Sequence, residues 1–182
     1  TVTYMNDRTL QHYYWGEDYG AVALSLKNGN RMWLILPDEG KTPADLLADG
    51  QAVTELLGGT AQRKNLFVNL ALPKFDISAK YKLKNTLNNL GITDVFSDTK
   101  ADFSGLVSGS QEKPFVSDVE HAARVTIDED GITAAAYTLI LVAGSAAPDP
   151  DQTEIDFTLD RPFLFVIESD NMPLFAGVVN DP

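Results

Sequence analysis

The sequence predicts an α+β fold, in which strands and a few short helices are grouped rather than regularly alternating. The helical signals are few and short, and neither an internal repeat nor a domain linker is visible. A length of 182 residues with 44% hydrophobic content suits a single domain with a sizeable core. Strand-like apolar or alternating segments occur at residues 19–36, 66–77, 115–142 and 163–179.

The first of these segments reads as a β-hairpin followed by a helical region. Residues 19–26 and 31–36 are predicted strands, and the Asn-Gly pair between them supplies the positive φ angles of a tight turn. Thr42 before Pro43 is typical of a helix N-terminus, since it places a capping side chain before a proline in the first turn. We expect Gly50 to divide the region that follows into two short helices.

The middle of the chain is predicted to be a strand, a helix and two more strands. Leucines and Val68 alternate with other residues along residues 66–77, and leucine spacing predicts a helix over residues 80–90 that ends at Gly91. Residues 115–127 and 132–142 are the next two strands, separated by an acidic turn.

The last part of the chain is predicted to hold a long loop and a final pair of strands. Residues 143–156 are rich in Ala, Pro, Gly, Ser and Asp, without a sustained apolar period, which predicts an exposed loop. Residues 163–167 and 174–179 are two apolar strands. The aromatic run that ends at Trp15, together with Trp33, is interpreted as core or sheet-face residues rather than a ligand platform.

Composition and charge argue against several classes of function. A net charge of -12 repels phosphate backbones and anionic lipids, so we expect neither nucleic acid nor a membrane as partner. The absence of cysteine excludes disulfides, thiolate catalysis and cysteine-bound zinc. With only His12 and His121, a histidine metal cluster is not expected, and Asp149-Pro150-Asp151 lacks the ligand spacing of a calcium loop. We therefore expect no metal and no cofactor.

The sequence also gives no assembled catalytic site. No pair of hydroxyl nucleophile and base can be assigned, and Ser145, in a flexible loop, lacks the oriented setting that a nucleophile needs. We therefore expect the protein not to be an enzyme.

One segment has an acidic residue, then a glycine, a run of alanines and a threonine, in that order. Its residues are Glu129, Asp130, Gly131, Ile132, Thr133, Ala134, Ala135, Ala136, Tyr137 and Thr138. This segment resembles the hinge of the serpins, a family of serine protease inhibitors, and its residues are called the hinge below.

The segments on either side of the hinge resemble serpins in the same order along the chain. Upstream, residues 34–40 (LILPDEG), 72–75 (LPKF) and 90–96 (LGITDVF) are similar to serpin segments, as is the strand at residues 115–127. Downstream, residues 161–167 (RPFLFVI) and 173–182 (PLFAGVVNDP) are similar to the segments that close the family's sequence. The resemblance therefore covers nearly the whole chain.

The resemblance implies that residues 1–182 form the carboxy-terminal part of a single serpin domain, a fold with several sheets and a few short helices. The first half of that fold is not represented, and Thr1 in place of an initiator Met suggests that a preceding segment was removed. We expect a partner to be the missing amino-terminal half or a second copy of this chain. Without one, exposed strand edges would lead to self-association.

The resemblance further implies an extracellular inhibitor of serine proteases. In the family the target protease cuts an exposed loop, here about residues 129–156, whose first part then inserts as a strand into the large sheet and traps the acyl-enzyme. Small alanines suit such an insertion, and Gly131 gives the backbone freedom to pivot. The alternatives are a non-inhibitory serpin that acts as a binding, carrier or chaperone module, and an inactive truncated form.

The family's usual spacing, counted forward from Glu129, places the reactive bond between Ser145 and Ala146. A backward count from Pro162 places it near Asp151 instead. We favour the forward count because the inserting strand needs a fixed length, whereas residues after the cut only lengthen a loop. Residues 142–147 are small and uncharged, so an elastase-like or subtilisin-like protease is the expected target.

Several individual residues take their interpretation from the resemblance. His121 is expected to make a structural hydrogen bond, and Lys74 to form an ion pair with Glu129 where the loop enters the sheet. An exposed pair of this kind contributes only about 0–1 kcal/mol. Ile132 and Tyr137 depart from the small residues that inhibitory members commonly carry at these positions.

Overall fold

The computed structural model describes residues 2–26, 29–106, 113–128 and 153–182, together with the backbone of residues 131–133 and 136–137. These residues fall into two compact units, Thr1–Ile77 with Val125–Pro182, and Ser78–Arg124. The helices are α1 (Pro43–Asp49), α2 (Gln51–Gly58) and α3 (Lys84–Asn89), with one 3₁₀ turn at Asp94–Phe96. The strands are β1 (Tyr4–Trp15), β2 (Tyr19–Ser25), β3 (Arg31–Pro37), β4 (Gln62–Pro73), β5 (Phe75–Lys82), β6 (Glu120–Asp128), β7 (Gly131–Thr133), β8 (Ala136–Tyr137), β9 (Glu154–Thr158), β10 (Phe163–Ser169) and β11 (Met172–Val179).

The strands form two sheets, which confirms the α+β class with several sheets and a few short helices. One sheet has seven strands in the order β11-β10-β3-β2-β1-β4-β9, and the other has four in the order β5-β6-β7-β8. In the seven-stranded sheet β9 is parallel to β4, whereas its other neighbouring pairs are antiparallel. Only the last three residues of β1 pair with β2, while all twelve pair with β4.

The central strands of the seven-stranded sheet are buried on both faces. On β3, Met32 and Leu34 belong to one apolar cluster, and Trp33 and Ile35 belong to another on the opposite face. Strand β10 alternates in the same way, which explains why both strands read as continuous apolar runs. The predicted hairpin of β2 and β3 is confirmed, and Gly29 in its turn has a φ of 84°.

Helices α1 and α2 cover one face of that sheet. Thr42 and Asp45 form a capping box at the start of α1, and Gly50 separates the two helices with a φ of 66°, as predicted. Leu46 and Leu56 pack in the same cluster as Trp33. The Tyr19 hydroxyl donates to Glu55 at 3.0 Å; burial, and then this hydrogen bond, raise the pKa of Tyr19.

The unit formed by Ser78–Arg124 holds the second half of β5, α3 and the first half of β6. One ion pair joins the two strand segments, from Lys80 to Glu120 at 2.7 Å, and a second joins Lys82 on β5 to Asp118, just before β6, at 3.9 Å. The Leu83 amide donates to the Val119 carbonyl at 2.8 Å.

Several predictions of secondary structure were wrong in part. The strand predicted over residues 66–77 is two strands in different sheets, because β4 ends at Pro73 and β5 begins at Phe75. Strand β1 was not predicted, and the predicted helix over residues 80–90 begins only at Lys84 because β5 continues to Lys82. Residues 115–119, predicted as strand, are not in one, since β6 begins at Glu120. The loop predicted for residues 143–156 ends sooner, because β9 begins at Glu154; residues 143–152 lie outside the described residues.

Candidate functional site

The hinge segment begins directly after β6, where the chain folds back as an antiparallel hairpin. Thr126 lies opposite Thr133, Ile127 opposite Ile132 and Asp128 opposite Gly131. Strand β8 then pairs with β7 through Ile132 and Tyr137. The strand predicted to follow the acidic turn is confirmed at residues 132–133. The prediction that it continues without a break over residues 132–142 was wrong, because residues 136–137 turn back and pair with β7. Residues 138–142 lie outside the described residues.

The β6 residues at the base of this hairpin are held by packing and by a hydrogen bond. Val125 and Ile127 are buried in the apolar cluster that also contains Leu34 and Phe165. The Thr126 hydroxyl donates to the Asp76 carboxylate at 3.2 Å. The strand that leads into the hinge is thus fixed in place by packing as well as by hydrogen bonding.

One side of β6 is only partly paired. Strand β5 is its neighbour on one side, and on the other side β7 pairs only with its last three residues, 126–128. Among the described residues no strand pairs with residues 120–125 on that second side. The β6 ladder therefore offers six residues of backbone at which an added strand could continue.

At the other end of the predicted loop, β9 joins the edge of the seven-stranded sheet. Arg8 on β1 forms an ion pair with Glu154, and its guanidinium lies 4.4 Å from the centre of the Phe67 ring. Asn69 donates to Asp156 at 2.9 Å. Hydrogen bonds from Arg8, and then from Asn69, lower the pKa of Glu154. This polar network ties β9 to its neighbours at an otherwise exposed edge.

A second anchor follows β9. The Arg161 guanidinium donates twice to the Pro37 carbonyl oxygen, at 3.2 and 3.0 Å, and once to Asp160 at 3.3 Å. Ile155 and Phe157 pack on the same apolar cluster as Leu34. The strands on the two sides of residues 138–152, β8 and β9, therefore lie in two different sheets, and β9 is anchored by packing and by hydrogen bonds.

The other residues singled out in the sequence have different outcomes. Lys74 is exposed and its amide donates to the Thr3 carbonyl at 3.1 Å; Glu129 lies outside the described residues, so their ion pair stays a prediction. His121 lies on β6 with an exposed side chain, and its hydrogen bond also stays a prediction. The remaining predicted site residues that lie outside the described residues are Asp130, Ala134, Ala135, Thr138, Ser145 and Ala146.

Over the described ranges, no group of three or more His, Cys, Asp or Glu side chains is arranged to hold a metal ion. Within the same ranges, none of the helices has the length and hydrophobicity of a transmembrane helix.

Sequence reasoning missed the network at β9. The signal for β9 itself was present, because Ile155, Phe157 and Leu159 alternate with polar residues. Arg8 and Glu154, however, are 146 positions apart, and neither lies in a recognisable motif. Their pairing could be read only from the three-dimensional arrangement.

Comparison with known proteins agrees with this arrangement. The family model described as serpin (serine protease inhibitor) matches residues 1–182. The plasma serine protease inhibitor of Mus musculus is 36% identical over 183 residues, which cover 100% of this chain and 43% of the relative. The chain thus spans less than half the length of the relatives it matches.

Solved structures give the same result. The native state of tengpin, a thermophilic serpin, superposes with a TM-score of 0.76 at 31% identity, covering 100% of this chain and 46% of tengpin. Thyroxine-binding globulin in complex with thyroxine superposes with a TM-score of 0.68 at 26% identity, covering 97% and 45%. Both comparisons extend over nearly the whole chain described above, and the chain belongs to the serpin family.

Proposed function

We propose that the protein inhibits serine proteases outside the cell, through a reactive loop at residues 129–156 that is cut and then inserts as a strand. The observation that carries this proposal is the pairing of β7 with β6. Gly131–Thr133 already lies as an added antiparallel strand beside β6, and the open side of residues 120–125 is where the same strand would continue. Insertion would then lengthen the existing ladder between β6 and β7, so that no new strand pairing has to begin.

The two ends of the loop support the same mechanism. Strand β8 belongs to the four-stranded sheet and β9 to the seven-stranded sheet, so residues 138–152 connect the two sheets. A cut within residues 138–152 would free the part of the loop that follows β8, while the ion pair of Arg8 with Glu154 keeps β9 in place. We place the cut between Ser145 and Ala146.

The proposed target is an elastase-like or subtilisin-like protease. Residues 142–147 contain neither Lys nor Arg, which a trypsin-like enzyme needs next to the cut. The proposed second partner is the remainder of a serpin fold, from the same polypeptide or from another copy. The mouse relative, named a plasma inhibitor, supports an extracellular site of action.

The test is incubation of the full-length protein with elastase, subtilisin and trypsin, followed by denaturing gel electrophoresis and mass spectrometry. We expect a detergent-resistant adduct with elastase or subtilisin and a new amino terminus at Ala146. The variant Ser145→Arg should transfer adduct formation to trypsin with the same new terminus. A terminus at Gln152 or beyond would show instead that the backward count of loop length is correct.

A second candidate function is binding without inhibition. Ile132 and Tyr137 are bulkier than the residues expected at these hinge positions, and one structural relative is a thyroxine-binding globulin. A protein of this kind would be cleaved in the loop as an ordinary substrate, without an adduct. The same gel therefore separates the two functions.

A further inference from the structure

A buried carboxylate lies where the β2–β3 and β10–β11 hairpins meet. Glu168, near the end of β10, is opposite Arg31 on β3, and its side chain is only 1% exposed. The β10–β11 pairing is irregular between Ile167 and Glu168. Burial of a charged carboxylate is unfavourable unless its oxygens are paired or hydrogen-bonded.

Arg31 pairs with the Glu168 carboxylate but leaves its hydrogen-bond acceptors unused. The Nε atom of Arg31 lies 2.6 Å from Oε1 of Glu168, but without the alignment of a hydrogen bond, so within the described part of the chain neither oxygen accepts one. Arg31 also donates to Asn171 at 3.0 Å, and its guanidinium lies 5.6 Å from the centre of the Trp33 ring. Glu168 therefore keeps free acceptor capacity at a buried position.

Glu168 is one of the residues that line an open cavity of about 560 Å³. Over the described residues the charged groups of the lining are two carboxylates, from Glu168 and Asp170, and one guanidinium, from Arg31. The described part of the lining therefore has an excess of negative charge and of hydrogen-bond acceptors. Its other members are Ser25, Gly29, Asn30 and Asn171.

We propose that this cavity binds an organic cation, whose ammonium or guanidinium group donates hydrogen bonds to Glu168 with additional attraction from Asp170. Charge-assisted hydrogen bonds to a carboxylate with unused acceptors are the strongest contacts that the lining offers. An organic cation fits better than a metal ion, because no group of three ligating side chains is present among the described residues. The cation is either a free amine or a Lys or Arg side chain of another polypeptide segment.

The first experiment titrates the full-length, ¹⁵N-labelled protein with propylammonium, using tetramethylammonium at equal ionic strength as the control without N–H donors. We expect saturable shifts of the amides of Gly29, Asn30 and Asn171 with propylammonium only. Glu168→Gln should raise the Kd at least tenfold. Asp170→Asn, in an exposed turn that also favours Asn, should raise it a few-fold without disturbing the core.

Asp38→Asn, which removes a carboxylate from a separate cleft of about 250 Å³, is the matched control and should leave the Kd unchanged. Equal shifts with tetramethylammonium, or binding that Glu168→Gln and Asp170→Asn both leave unchanged, would overturn the proposal.

Carbodiimide coupling distinguishes the two sources of the cation. A cross-link from Glu168 to a lysine beyond the two hairpins supports a side chain as the occupant, and saturable propylammonium binding without a cross-link supports a free amine. A cross-link to Lys27, in the neighbouring hairpin, would overturn the proposal, because the chain itself would then neutralise Glu168. The absence of both binding and cross-link would also overturn it.

Discussion

A cysteine pair can test whether the cut loop continues along β6. The chain has no native cysteine, so an introduced pair is free of competing thiols. Extending the observed register, in which Thr126 lies opposite Thr133, places Ala136 opposite Ala123. We therefore predict that Ala123→Cys with Ala136→Cys forms a disulfide after the loop is cleaved and not before.

The distances follow from the sheet order. Before cleavage Ala136 lies on β8, which is two strands from β6, or roughly 10 Å at about 4.8 Å per strand. Two Cα atoms more than about 7 Å apart cannot be bridged without backbone movement. After insertion the Cα atoms of residues 123 and 136 would be about 4.5–5.5 Å apart. The closed loop of about 14 residues would then add about 3 kcal/mol to the free energy of unfolding.

The assay compares thiol oxidation before and after limited cleavage of the loop, by gel mobility without reductant. The matched control is Ala122→Cys with Ala136→Cys, because Ala122 is one position out of register and its side chain points to the opposite face of β6. Equal oxidation of the two pairs after cleavage, or oxidation of the in-register pair before it, would refute the extended register.

Three further predictions concern anchors of the fold and the site, each followed by urea unfolding. Thr42→Ala removes the capping box and should lower the free energy of unfolding by about 1 kcal/mol, whereas Thr42→Ser should retain most of it. Gly177→Ala should cost about 1–3 kcal/mol, because the new Cβ would lie 2.6 Å from the Phe165 ring; at Gly58 an added Cβ meets nothing within 4 Å, so Gly58→Ala is the control. The lowered pKa of Glu154 means that its contribution to stability is present above its ordinary pKa of 4.5 and is lost as the pH falls through the folded-state pKa. Glu154→Gln should therefore be less stable than the wild type at pH 7, and the difference should shrink as the pH falls below the folded-state pKa. A constant difference between Glu154→Gln and the wild type at all pH values would contradict this origin.

The elements that the sequence predicted correctly are those with a local cause. The β2–β3 hairpin depends on an Asn-Gly turn between apolar strands, and the start of α1 depends on Thr42 and Pro43. Gly91 ends α3 with a φ of 87°, as the sequence indicated, although the start of that helix was wrong. Leu90 in the predicted leucine pattern is 72% exposed, so the spacing did not mark a buried face.

The unpredicted strand β1 had no comparable local signal. Its more buried face carries residues as different as Met5, Asp7 and Gln11, while Leu10 on the other face is 39% exposed. Twelve residues of pairing with β4 determine its conformation, and no alternation of hydrophobicity accompanies it. The same reasoning applies to Arg8, whose role depends on a strand far away in sequence.

The hinge differs from both cases because its sequence is compatible with two pairings. Gly131–Thr133 is bound to β6, and the next described residues, Ala136–Tyr137, turn back on β7 instead of following β6. A run of alanines specifies register weakly, since shifting or reversing it moves no large side chain from one face to the other. In the proposed mechanism the uncut chain remains tied to β9, which is paired with β4, while the β7–β8 hairpin satisfies backbone groups of the hinge locally. In the proposed mechanism the cut removes that restraint, and residues 120–125 of β6, which have no strand on one side among the described residues, offer a longer ladder to the same segment.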